Sequence, residues 1–122
     1  MATIFLVDDE EHLHQIYRAL FAIKGHTIVA SAFDGIEAVE KFRSLNPRPN
    51  IVVMDHRMPR MDGLTATKKM VEADPKCRII FVSADATVQD EALKAGAKAF
   101  QVKPVRAAEL FAVIEKLMQT SS

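Results

Sequence analysis

The chain has 122 residues, 49% of them hydrophobic and 26% charged, enough to bury a core and close to an ordinary globular composition. Sixteen basic and sixteen acidic side chains cancel, so no overall field draws the chain to nucleic acid or to an anionic membrane surface. Nothing approaches a transmembrane span, Met1–Val7 lacks the basic flank and cleavage site of a signal peptide, and Cys77 is alone; the expectation is one cytoplasmic domain over residues 1–122.

The first apolar run, Thr3–Val7, predicts a strand and leads straight into Asp8, Asp9, Glu10 and Glu11. Leu13, Ile16, Tyr17 and Leu20 have helical spacing, and Lys24-Gly25-His26 ends that helix with a glycine stop. Thr27–Ala30 reads as the second strand. Asp34 can cap a helix with the face Ile36, Val39 and Phe42, which Asn46-Pro47 terminates. Ile51–Met54 is a continuous apolar run, as expected for a central strand covered on both sides, and Asp55 follows it. A loop with Pro59 and Gly63 precedes a helix carrying Leu64, Met70 and Val71. Ile79–Val82 is the fourth strand, followed by Ser83 and by an Ala-rich helix, Val88–Ala95, that ends at Gly96. Ala99–Val102 is the fifth strand, followed by Lys103. Leu110, Val113, Ile114, Leu117 and Met118 stripe the last helix.

Five such alternations predict an α/β domain: a parallel five-stranded sheet between two layers of helices, with right-handed crossovers. Sites in such sheets lie beyond the carboxyl ends of the strands, at the topological switch point. With the strand order 2-1-3-4-5, the first and third strands meet there, so Asp9 and Asp55 would face each other. Three carboxylates, a hydroxyl and an ammonium then share one sheet edge. The clustered carboxylates repel, and a hard divalent cation held by oxygen relieves that repulsion; magnesium suits it. Asp55 becomes a candidate nucleophile for a phosphoryl group, with Lys103 and Ser83 placed to neutralise or hydrogen-bond its oxygens.

Taken singly, each group has a plainer reading. Asp8-Asp9 could be a solvated helix start, Asp55 and Ser83 caps, and Lys103 a surface lysine. Their common position at the same end of different strands, in chain order, favours a joint site.

At Val7-Asp8-Asp9-Glu10, Met54-Asp55 with Met58-Pro59 and Met61-Asp62-Gly63, Ser83-Ala84 and Val102-Lys103-Pro104, the chain resembles the receiver domain of two-component response regulators, the chemotaxis-type flavodoxin-like (βα)5 fold. The resemblance covers about residues 3–119. It implies that Asp55 accepts a phosphoryl group from a histidine kinase or histidine phosphotransfer protein, and that the chain is a signalling protein rather than a conventional enzyme. Asp9 and Asp55 would ligate Mg2+ directly, with the backbone carbonyl of Arg57, and Asp8 would act through water. Ser83 and Lys103 would contact the phosphoryl group, and Lys103–Pro104 would be a cis bond. Phe100 falls at the aromatic switch position. There the family moves the Ser83 hydroxyl toward the phosphate and turns the ring inward, remodelling the face of helix 4, strand 5 and helix 5 for an output protein.

Arg57 and Asp85, each two residues after a site residue, flank the acceptor; they either pair across it as a shield or are two solvated charges. His12 and His14 are an H-x-H whose members point to different faces of a helix, so they read as a docking surface for the kinase rather than a metal site. His56 adjoins the acceptor and is not expected to be a second one. Lys98-Ala99-Phe100 and Val113-Ile114-Glu115-Lys116 lack the charge pattern that pairs DNA-binding members of the family, so the expectation is a monomer or weak dimer without direct nucleic-acid contact. No effector segment follows Gln119 up to Ser122, so a stand-alone receiver is expected, against a receiver cut from a longer regulator. Two other classes remain. A haloacid dehalogenase-type phosphohydrolase lacks its Asp-x-Asp here, since Glu10 holds the third position. A flavin carrier would need a neutral phosphate loop where this chain has four carboxylates.

Overall fold

The computed structural model describes residues 1–119; the end of the expected 1–122 domain, from Thr120 onward, lies outside the described residues. Strands β1 (Thr3–Val7), β2 (Thr27–Ala32), β3 (Ile51–Asp55), β4 (Ile79–Ser83) and β5 (Ala99–Val102) alternate with helices α1 (Glu11–Ile23), α2 (Gly35–Ser44), α3 (Gly63–Ala73), α4 (Gln89–Ala95) and α5 (Ala107–Gln119). All pairings are parallel, in the order β2-β1-β3-β4-β5. The expected flavodoxin-like arrangement is the one observed.

Strand side chains alternate between two faces, and each face has its own core. Phe5, Val7, Val52, Met54, Ile79 and Phe81 pack with Val39, Phe42, Met70 and Ala92 of α2, α3 and α4. Ile4, Leu6, Ile51, Val53, Ile80 and Val82 pack with Phe21 of α1 and Leu110 and Ile114 of α5. Because β1, β3 and β4 are buried on both sides, their sequences read as unbroken apolar runs. Asp34 caps α2 by accepting from the Glu37 N–H at 2.8 Å, and Asp62 caps α3 by accepting from Thr65 N–H at 2.9 Å. Gly96 ends α4 at φ +115, a left-handed conformation that favours glycine. The Lys103–Pro104 bond is cis, as expected, and so is Asn46–Pro47.

Boundaries and faces differ in five places. Strand β2 runs two residues further, to Ala32. Asp55 and Ser83 are the last residues of their strands rather than the first after them. The Ala-rich helix opens with a 3-10 turn, Ala86–Val88, before α4. The buried face of α1 is turned from the expected one: Ile16 is 44% exposed, while His14 and Phe21 are buried. The cause is local, a hydrogen bond that draws His14 inward to the end of β1. His14 is therefore not part of an exposed docking surface, and only His12 of that pair faces solvent.

Candidate functional site

The carboxyl edge of the sheet collects the polar groups. Asp8 follows β1, Asp55 ends the neighbouring β3, Ser83 ends β4 and Lys103 follows β5. Asp8, Asp55 and Ser83 are buried. The Lys103 ammonium reaches across β4 and donates to Asp8 Oδ2 at 3.1 Å and to Asp55 Oδ1 at 3.0 Å. The backbone N–H of Lys103 donates to the Ser83 carbonyl at 2.9 Å, extending the pairing of β4 with β5 and fixing where the lysine departs. Lys103 is thus drawn into this cluster, its side chain 23% exposed, rather than standing free on the surface. Asp9 is exposed, yet one oxygen from each of Asp8, Asp9 and Asp55 lies within 4.8 Å of the others.

Burial first, and the neighbouring Asp8 charge second, push the Asp55 carboxyl up from 3.8 to about 6, against the hydrogen bond and charge of Lys103 and the N–H of His56. Burial alone would lower the Lys103 ammonium. Its hydrogen bonds and charge contacts with Asp55 and Asp8 outweigh that and hold it above the ordinary lysine value. One ammonium therefore spans two carboxylates while a third stands by, so the cluster carries uncompensated negative charge. An all-oxygen, anionic donor set of this kind fits a hard divalent cation such as Mg2+. No softer nitrogen or sulfur ligand stands among these three residues.

Backbone contacts brace Asp55. Gly63 N–H donates to the His56 carbonyl at 2.7 Å, so closely that a Cβ on Gly63 would lie 2.0 Å from the Asp55 carbonyl oxygen. The β3–α3 loop is latched to the turn before α2: Arg60, at φ +67, donates to Asp34 at 3.1 and 3.2 Å, and Gly35 N–H donates to the Met61 carbonyl at 3.1 Å. Sequence reasoning found Asp34 as a cap but missed Arg60. The signal would have been a long basic residue in the breaker-rich loop opposite a capping carboxylate.

On the rim, Arg57 and Asp85 approach to 3.8 Å, with Arg57 81% exposed. Asp85 is more firmly tied to its own turn, accepting from Thr87 N–H at 2.9 Å and from the Thr87 hydroxyl at 2.6 Å. Those bonds, ahead of the Arg57 charge, hold its carboxyl below the usual range. The Ser83 hydroxyl oxygen accepts from Asp85 N–H at 3.0 Å. Phe100 is half-buried and stacked over Phe81 (centroids 5.8 Å, 15°), whose other neighbour is the His56 ring at 5.5 Å. Beside the site, a cleft of about 390 Å³ opens between α1 and α5, lined by Ile16, Tyr17, Leu20, Lys103, Pro104 and Val105 among others.

A family model described as the response regulator receiver domain matches residues 4–115. Chemotaxis protein CheY of Bacillus subtilis (strain 168) is 37% identical over 117 residues, which are 94% of this chain and 96% of that protein. A chain in the CheX-CheY-BeF3-Mg+2 complex from Borrelia burgdorferi superposes with a TM-score of 0.91 at 32% identity, covering 97% of this chain and 90% of its own. Response regulator protein TrrA from Thermotoga maritima, in complex with Mg(2+)-BeF, superposes with a TM-score of 0.86 at 28% identity, over 96% of this chain and 99% of that one. Among the described residues, no helix is long and apolar enough to cross a membrane.

Proposed function

The chain belongs to the response regulator receiver domain family of two-component signalling, and from that premise we propose that Asp55 is its phosphoacceptor. The observation that carries the proposal is the Lys103 bridge between Asp8 and Asp55, with Asp9 within reach of both. A carboxylate oxygen of Asp55 attacks the phosphorus of a phosphohistidine on a kinase or phosphotransfer protein. The P–N bond breaks, and the donor leaves as a neutral imidazole once protonated. Asp9 and Asp55 would hold Mg2+ together with the Arg57 carbonyl, with Asp8 assisting through water. When bound, the ion would supply charge neutralisation at the transferred phosphoryl oxygens. Lys103 gives up one of its two carboxylates to pair with the phosphoryl group, and Ser83 turns its hydroxyl from the Asp85 N–H to donate to it.

The phosphorylated site then acts on the rest of the domain through Ser83 and Phe100. With Ser83 displaced, the Phe100 ring turns off Phe81, and the α4–β5–α5 face changes shape. That face already exposes Leu93 and Val102, 41% and 47%, apolar ground for an output protein. The CheX-CheY-BeF3-Mg+2 complex and the TrrA complex with Mg(2+)-BeF support the metal and phosphoryl part of this reading. A cytoplasmic setting, where kinase and output protein meet, is part of it.

Incubation with acetyl phosphate and Mg2+, read by intact mass, tests the assignment. One added phosphoryl group is expected on the parent chain and none on Asp55→Asn. Labelling that survives in the variant, or steady release of phosphate from many substrates, would overturn it.

A further inference from the structure

We infer that His14 is a positioning residue for the metal side of the site, acting through the peptide bond between Asp8 and Asp9; the inference rests on the functional reading above. The imidazole is 2% exposed, and its Nε2 lies 2.7 Å from the Asp8 carbonyl oxygen. A carbonyl only accepts, so Nε2 carries the proton and the ring is held in that tautomer. Nδ1 is buried with no partner among the described residues. The bond to Asp8 is therefore the polar contact that ties this ring to its place. Phe33 stacks on the imidazole at 4.2 Å and 28° and is 38% exposed, so it stands between His14 and water.

The carboxylate of Asp8 has tethers of its own, accepting from Glu10 N–H at 2.9 Å and from Lys103 at 3.1 Å, and Asp8 N–H donates to the Ala32 carbonyl at 3.1 Å. Asp9 has none. Its carboxylate is exposed and makes no hydrogen bond or ion pair with the described residues, so its direction comes from the backbone alone. The Asp8–Asp9 peptide is planar. A donor clamped on the carbonyl oxygen at one end fixes the plane from which the Asp9 side chain leaves at the other. His14 thus sets the aim of a carboxylate it never touches.

The test is Mg2+ affinity, measured by titration calorimetry on the full chain, with urea denaturation in chelator as a separate measure of stability. His14→Leu keeps an apolar side chain of fitting size but frees the carbonyl; Mg2+ binding is expected to weaken by roughly tenfold or more, as for other residues that orient metal ligands. His14→Gln returns an N–H at similar reach and should recover most of the affinity. A pure packing role predicts the reverse order, with Leu retaining affinity and Gln losing it. Phe33→Ala, a surface change that wets the ring, should weaken binding by a smaller factor and covers the case in which His14→Leu does not fold. In an Asp9→Asn background, His14→Leu should add nothing if it acts through Asp9. Equal Mg2+ affinity in the parent, His14→Leu and Phe33→Ala overturns this inference while leaving the phosphoacceptor reading intact. A parent chain that neither binds Mg2+ nor takes a phosphoryl group from acetyl phosphate overturns that reading, and the inference with it.

Discussion

Replacing Asp55 with Asn should make the metal-free chain more stable, although it removes the proposed phosphoacceptor. The folded state raises the Asp55 carboxyl from 3.8 to about 6, through burial and then the Asp8 charge. Holding that group ionised costs the fold about 3 kcal/mol at pH 8. Asn has the shape of the neutral acid and avoids the cost, and Lys103 keeps Asp8 as its partner. The variant should therefore gain about 2–3 kcal/mol, roughly 10 °C in melting temperature for a domain of this size. The sign with pH is fixed. A raised folded-state carboxyl binds its proton more tightly than the unfolded one, so the parent recovers stability as pH falls from about 6 toward 3.8. The gap between the two chains closes over that window. Urea denaturation followed by circular dichroism in chelator, at pH 8 and near pH 4.5, measures both. A variant no more stable than the parent at pH 8, or a gap that does not shrink on acidification, would refute the electrostatic account. Adding Mg2+ should stabilise the parent by mass action and leave Asp55→Asn nearly unchanged.

Three further outcomes follow from local geometry. Gly63→Ala places a Cβ 2.0 Å from the Asp55 carbonyl oxygen; it should cost about 2–4 kcal/mol in urea denaturation and abolish acetyl phosphate labelling. His26, buried at the far end of the sheet, accepts the Ala2 N–H on Nδ1 at 3.0 Å, and burial followed by the N-terminal charge lowers its pKa. Its contribution is thus complete above about 6.5 and declines as pH falls below that value. Asp55 has the opposite slope nearby, so melting temperatures should be followed in Asp55→Asn, where an absent acid-side decline would count against the His26 assignment. Arg57→Asn should leave stability untouched, since the pair with Asp85 is long and exposed, yet speed loss of the acyl phosphate if Arg57 shields it; an unchanged dephosphorylation rate removes the shield.

The strands and the cluster were legible because their constraints are periodic and collective. A strand buried on both faces must be apolar throughout, so β1, β3 and β4 announced themselves, and their polar ends stood out by contrast. Asp8, Asp55 and Lys103 could be joined on paper because parallel order alone brings them to one edge. What was not legible depends on single contacts. The face of α1 was misplaced because apolar spacing cannot register that His14 would find a carbonyl at the end of β1. Positions 14, 17 and 21 do share a helix face, but a histidine among them reads as an interruption until its acceptor is known. The Asp34–Arg60 latch was missed for the same reason: it joins two loops across 26 residues of chain, and neither loop has a period to betray it.

These two levels of information correspond to two tasks in the site. The collective pattern creates tension, since burying Asp55 beside Asp8 leaves more negative charge than one ammonium offsets. On the proposed function, a bound divalent cation would relieve that tension by neutralising part of the charge. The single contacts do different work, because they determine geometry rather than charge: the Lys103 N–H on Ser83, the Gly63 N–H on His56, and His14 on Asp8. The division can be checked, because changes to the charges should move stability and Mg2+ affinity in opposite directions, as for Asp55→Asn. Changes to the contacts should lower both together, or lower affinity alone. A positioning contact that behaved like a charge, stabilising the chain when removed, would break the division and with it the account of how this edge of the sheet is built.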